Sequence, residues 1–191
     1  MKTKFIPILV LISCLTVVAQ KKEPIKLILK LDENVSGPFG GKHSISCLRI
    51  YSDGRIVYAS KWTTRGTVVD EKTEKKSNNE RSKSLEFKMD ELDVGELSDF
   101  LQSKVVKALP EKFAPPHPPI DYFEEITVQL NDLKGHMKKI SMREFFVADL
   151  EEKSKYPSAL IVLMGKIEEI EKLVENKGST VMFPNDCSAS K

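Results

Sequence analysis

From position 25 the chain alternates: Ile25, Leu27, Leu29 and Leu31 take turns with Lys26, Ile28, Lys30 and Asp32, the period of two expected of a half-buried strand. Residues 43–51 predict a second strand, but Ile45 and Cys47 fall on one phase and Leu48 and Ile50 on the other. Either a bulge near Cys47 or a strand covered on both faces accounts for that. Ser52-Asp53-Gly54 is turn chemistry, and residues 55–62 return as the partner strand. Residues 66–69 fit a short further strand, whereas residues 70–83 are almost all charged or amide and predict an exposed polar insertion or hairpin tip. Leu85, Phe87 and Met89 resume the alternation.

The period then changes to that of a helix. Asp93 and Glu96 match a D-x-x-E capping box, Leu92 and Leu97 a hydrophobic staple, and Val94, Leu97, Phe100 and Leu101 share a face. Leu109-Pro110 ends the helix. Phe113-Ala-Pro-Pro-His117-Pro-Pro119 is a stiff extended connection. Residues 121–130 and 136–142 predict a hairpin joined through Asn131-Asp132-Leu133-Lys134-Gly135, with Ile126, Val128 and Leu130 on one face and Lys138, Ile140 and Met142 in phase. The last helix opens at Tyr156-Pro157, carries Ala159, Leu160, Leu163, Met164, Ile167, Ile170 and Val174 on its apolar side, and stops at Gly178. The expected fold is α+β: an antiparallel sheet of about five or six strands with two helices packed on one face. Residues 20–178 form a single domain, and 179–191 a C-terminal tail.

Composition changes this picture at the N-terminus. Lys2 and Lys4, the apolar run 5–18 and the small residues Val17 and Ala19 have the form of a signal peptide over residues 1–19, too short to span a bilayer. Leu11-Ile12-Ser13-Cys14 also fits a lipobox, which would make Cys14 a lipidation site, although the apolar residues 15–19 after it differ from the usual polar tether. The expectation is an exported protein, periplasmic or extracellular, with lipid anchoring in the cell envelope as the alternative. Without the leader, 172 residues remain, with 28 basic and 28 acidic side chains. That length supports one core, and that balance offers no basic face for nucleic acid.

Candidate chemistry is sparse. His43, His117 and His136 have no zinc-protease spacing, and no nucleophile elbow, P-loop or dinucleotide fingerprint occurs. The carboxylate pairs Glu124-Glu125 and Glu151-Glu152 read as ordinary exposed edges. No enzyme activity, metal or other cofactor is expected. Cys47 and Cys187 remain after the leader; in an oxidising compartment they allow one disulfide, while Cys47 reads equally as a small buried hydrophobe.

The segment Ser36-Gly37-Pro38-Phe39-Gly40-Gly41, running into a strand, resembles the opening Ser-Gly-Gly-Phe-Ala-Gly-like segment of the emfourin family, with Pro38 and Gly40 as departures. Residues 92–110, ending in Leu-Pro, and the two-strand and final-helix layout of 121–174 are similar to later parts of that family. Emfourins are small bacterial proteins named for an inhibitor of protealysin, a thermolysin-like zinc protease. The resemblance implies a non-enzymatic inhibitor of a secreted metalloprotease. Ser36, Gly37, Phe39, Gly40 and Gly41 would then form a partner-binding loop in which Phe39 either plugs a pocket of the protease or folds back onto its own core. The competing expectation is an envelope-associated structural or interaction module, which lipid on Cys14 would favour.

Overall fold

The computed structural model describes residues 24–37, 42–70, 73–114, 123–132, 135–143, 145, 151, 154–184 and 187. The elements are β1 (Leu27–Ser36), β2 (Lys42–Tyr51), β3 (Arg55–Asp70), β4 (Thr73–Lys88), α1 (Glu91–Gln102), α2 (Lys104–Lys107), β5 (Lys112–Phe113), β6 (Phe123–Asn131), β7 (Met137–Arg143), α3 (Ser158–Lys177) and β8 (Ser179–Thr180). All eight strands join one sheet in the order β5-β7-β6-β1-β2-β3-β4-β8. Every pairing is antiparallel except β5 with β7, so the sheet is mixed.

The class is α+β as expected, with three corrections, of which the first is that the parallel β5–β7 pair makes the sheet mixed and not wholly antiparallel. The sheet has eight strands rather than five or six, because β5 and β8 are two-residue strands that pair through main chain alone and leave no periodicity to read. The helical layer holds a third helix, the short α2. The hydroxyl of Ser103 receives the Val106 amide and starts a new turn immediately after α1 ends.

One face of the sheet builds the core. Register places Leu29, Leu31, Leu48, Ile50, Ile56, Leu85, Ile126, Val128 and Ile140 on it, all buried. They join Val94, Leu97 and Leu101 of α1, Val106 of α2 and the stripe Leu160, Leu163, Met164, Ile167, Ile170 and Val174 of α3 in a single cluster. That stripe is the helical period read from the sequence, and its burial is what holds α3 to the sheet. A register shift between Leu27 and Leu29 brings Ile28 into the core as well as Leu29.

The two-phase pattern of β2 comes from covering, not from a bulge: its register runs unbroken past Cys47 on both sides. Leu48 and Ile50 meet the helical core. On the opposite face Cys47 packs with Ala59, Phe183 and Cys187, and the residues after α3 reach across to provide that cover. Arg49 shares this outer face and is 1 % exposed; its Nη1 donates to the carbonyls of Leu31 (3.0 Å) and Leu48 (3.1 Å), and its Nη2 lies 2.8 Å from Asp32 Oδ1. Asp32 also pairs with Lys30 at 2.8 Å.

Two local readings are corrected and one is decided. The cap of α1 is Asp90, whose side chain accepts the Asp93 amide at 3.1 Å; Asp93 is already inside the first turn. Two aspartates three positions apart offer the same signal, and the helix takes the earlier one. Of the two readings of residues 70–83, an insertion or a hairpin tip, the structure has the hairpin: residues 73–83 pair with β3 from Asp70↔Thr73 to Ser60↔Lys83. The ladder is made by main chain, so polar side chains do not prevent it. The tail is not appended: β8 pairs with β4, and the Val181 amide donates to the Ser84 carbonyl at 3.1 Å.

Glycine is required at two places for different reasons. Gly54 has φ of 84°, and a Cβ there would lie 2.4 Å from the Met89 carbonyl oxygen, so the β2–β3 turn needs the smallest residue. Gly178, at the end of α3, has an extended backbone with φ of −71°. There it is close approach that matters, since a Cβ would come within 2.5 Å of the Val174 carbonyl oxygen.

Candidate functional site at the open end of the sheet

The helices cover only part of the sheet. α3 crosses the sheet from the β5–β7 side, where Tyr156 meets Phe113 and Arg143, to β4, where Glu175 pairs with Lys83, while β3 and β4 continue past that level to Asp70 and Thr73. The helix-side face changes along each strand accordingly. On β1 it runs Leu31, Glu33, Val35; on β2 Leu48, Ser46, Ser44; on β3 Ile56, Tyr58, Ser60, Trp62. Apolar residues lie under the helices, polar residues follow, and the row ends at an open rim.

The polar zone is held by specific contacts. The Ser46 hydroxyl donates to Glu33 Oε2 at 2.6 Å, and Lys83 Nζ pairs with Glu175 at 3.2 Å. Glu171, on the same side of α3 as Glu175, is half-buried. Burial first, then the charges of Glu33, Glu175 and Glu168, push its carboxyl up to about 8. Burial, with the charge of Glu171 next, raises the Tyr58 phenol to about 12, against a hydrogen bond with Ser60 that lowers it. This zone is a desolvated acidic patch between helix and sheet. Among the described residues no group of three or more His, Cys, Asp and Glu is placed to hold a metal ion.

At the rim, Ser36 and Gly37 end β1. The Ser36 hydroxyl lies 3.3 Å from His43 Nδ1 across the β1–β2 ladder, and Ser36 pairs on its other side with Phe123 of β6. Phe123 is 39 % exposed and Trp62 is 37 % exposed. The register puts Phe123 on the outer face of β6, next to the end of β1, and Trp62 on the helix-side face of β3, one strand beyond β2 at the same level. Arg143 lies over the Phe123 ring at 5.6 Å. Of the loop residues expected to bind a partner, Ser36 and Gly37 stand at this rim, while Phe39, Gly40 and Gly41 lie outside the described residues. So do the leader 1–19 with Cys14, and His117 in its proline segment.

The two aromatics were not singled out in the sequence as site residues. Trp62 ends the expected strand 55–62 but lies inside β3, which runs on to Asp70, and Phe123 falls near the start of the expected strand 121–130; only pairing shows that they stand at one level of the sheet.

Cys47 and Cys187 form a disulfide, with Cα atoms 5.8 Å apart across 140 positions of sequence. No described helix is long and apolar enough to cross a membrane. Comparison of the chain with known protein families, with curated proteins and with solved structures finds no match.

Proposed function

We propose that this is an exported, non-enzymatic binding protein that inhibits a secreted thermolysin-like metalloprotease through the rim built from Ser36, Gly37, Trp62 and Phe123 and the loop 38–41. The observation that carries the reading is that two exposed aromatics, Phe123 on the strand beside β1 and Trp62 across β2 on β3, stand at the level where β1 runs into residues 38–41. Aromatic anchors held on paired strands lose little freedom on binding, which is how a short contact gains affinity. The resemblance of residues 36–41 to the emfourin opening segment supplies the partner class. The disulfide supports export, because such bridges persist in oxidising compartments.

Titrating a thermolysin-like protease at fixed concentration with the protein tests this. The expected result is stoichiometric, reversible inhibition, weakened about tenfold or more by Phe123→Ala or Phe39→Ala with the melting temperature unchanged. Digestion of the protein without inhibition would refute the protease reading. A Phe39→Ala variant that melts lower but inhibits normally would place Phe39 in the core and leave the rim aromatics as the contact.

A further inference from the structure

The opposite end of the sheet carries a second site. A cavity of about 310 Å³ opens between α1, α2 and the β6–β7 hairpin. Its floor is apolar, made by Ile28, Leu101 and Leu130, each nearly fully buried, and Met137 stands exposed at its mouth. The register shift in β1 contributes directly, since it is what brings Ile28 to this end of the core. The size is at the lower end of small-molecule pockets.

The rim is charged unequally. Asp132 is engaged: its Oδ2 lies 2.8 Å from His136 Nδ1, and its Oδ1 accepts the His136 amide at 2.8 Å. Among the described residues neither lysine pairs with a carboxylate, and Lys138 Nζ donates to the Lys107 carbonyl. Both lysines line the cavity with its apolar floor, while Asp132, the carboxylate among the described lining residues, is already paired. Ser98 and Gln102, joined by a 3.1 Å hydrogen bond, complete the α1 wall.

We infer that this cavity binds a small amphipathic carboxylic acid, its hydrocarbon part on Ile28, Leu101 and Leu130 and its carboxylate between Lys107 and Lys138. The site is remote from the aromatic rim and does not depend on the inhibitor reading. A chain of medium length fits the volume, and an ammonium or uncharged head would leave the lysines without a counter-charge.

Calorimetric titration of the protein with octanoate, octanol and octylammonium, all as monomers, tests the assignment. Octanoate is expected to saturate one site and to bind about tenfold tighter than octanol, with octylammonium weakest. The double variant Lys107→Glu/Lys138→Glu should reverse the order of octanoate and octylammonium. Ser98→Phe, which fills the cavity from the α1 wall, should abolish binding of all three; Gln102→Trp serves the same purpose if Ser98→Phe does not fold. Absence of saturable octanoate binding up to about 1 mM would overturn the assignment. So would octanoate affinity unchanged in the charge-reversed variant, or binding that survives in a folded cavity-filled variant.

Discussion

Removing the Cys47–Cys187 bridge tests how the domain is held together, because the bridge closes nearly the whole of it into a loop. The two cysteines are 140 positions apart. In the chain-entropy account, a loop of that length removes about 17 cal/mol/K from the unfolded ensemble, or about 5 kcal/mol at room temperature. That is comparable with the entire stability of many single domains. The native contacts beside the bridge are independent of it. β8 still pairs with Leu85 and Glu86, Val181 still donates to Ser84, and Phe183 still packs by Ala59. A Cys47→Ala/Cys187→Ala variant is therefore expected to fold with the same sheet but to lose about 2–5 kcal/mol. Urea unfolding followed by far-ultraviolet dichroism gives both quantities needed. The midpoint should fall, and the slope should rise, because an unbridged unfolded chain exposes more surface. A variant truncated after residue 178 separates the two accounts. If the bridge acts on the unfolded chain as a whole, the double-alanine variant loses the loop term alone and the truncated variant loses more, because the β8, Val181 and Phe183 contacts go with it. If the double-alanine variant unfolds within about 0.5 kcal/mol of the parent, the loop-entropy reasoning fails and the bridge merely fastens the tail.

Other outcomes follow from single contacts. Glu171 is protonated in the folded protein at pH values where it is ionised in the unfolded chain, so its contribution is full below about pH 4.5 and is lost as pH rises towards 8. Glu171→Gln should therefore leave stability unchanged near pH 4 and raise it by about 1–3 kcal/mol at pH 8.5, after allowing for solvent screening at this half-buried site; a pH-independent difference in thermal melts would contradict this. Arg49→Met should cost about 1–3 kcal/mol, because the Leu31 and Leu48 carbonyls lose a buried donor while Asp32 keeps Lys30, and a neutral result in denaturant titration would show that those carbonyls find other partners. Leu163→Ala, at the centre of the α3 stripe and fully buried, should cost about 2–5 kcal/mol in the same assay, and a loss below about 1 kcal/mol would mean that α3 closes over the space.

The sequence shows most of the elements because most of them bury one face. The α3 stripe appears at its correct positions, and Ile126, Val128 and Leu130 alternate as the structure has them. Legibility fails wherever an element is made by main chain alone. β5 and β8 have two residues each, and residues 73–83 pair as a strand without an apolar side to announce it. The start of α1 was ambiguous because Asp90 and Asp93 both carry a capping side chain, and only the backbone geometry chooses. The two sites were harder still. Glu33 and Glu171 lie on different elements far apart in sequence, as do Ile28, Leu101 and Leu130, and no local pattern links them. The Cys47 phase was the exception. Its apolar position called for either a bulge or cover on both faces, and the unbroken register with the disulfide and Phe183 over Cys47 shows the second.

The proposed docking of a protein partner at the open end of the sheet accords with what the strands leave uncovered there. The β3–β4 ladder continues from Ser60↔Lys83, where α3 reaches it through Glu175, to Asp70↔Thr73. Glu33, Ser46 and Ser60 continue the face that begins with Leu31, Leu48 and Ile56, and α3 meets this polar part with Glu171 and Glu175 instead of its apolar stripe. Past that point a domain with no partner would favour charged and small residues throughout, to keep its strands from joining others. Lys61 and Glu80 pair at 2.8 Å across β3 and β4 on the outer face and fit that expectation. Trp62 and Phe123 do not. Large aromatics left partly exposed at the end of a polar face gain little from their own fold. Their cost in water is recovered when another surface covers them.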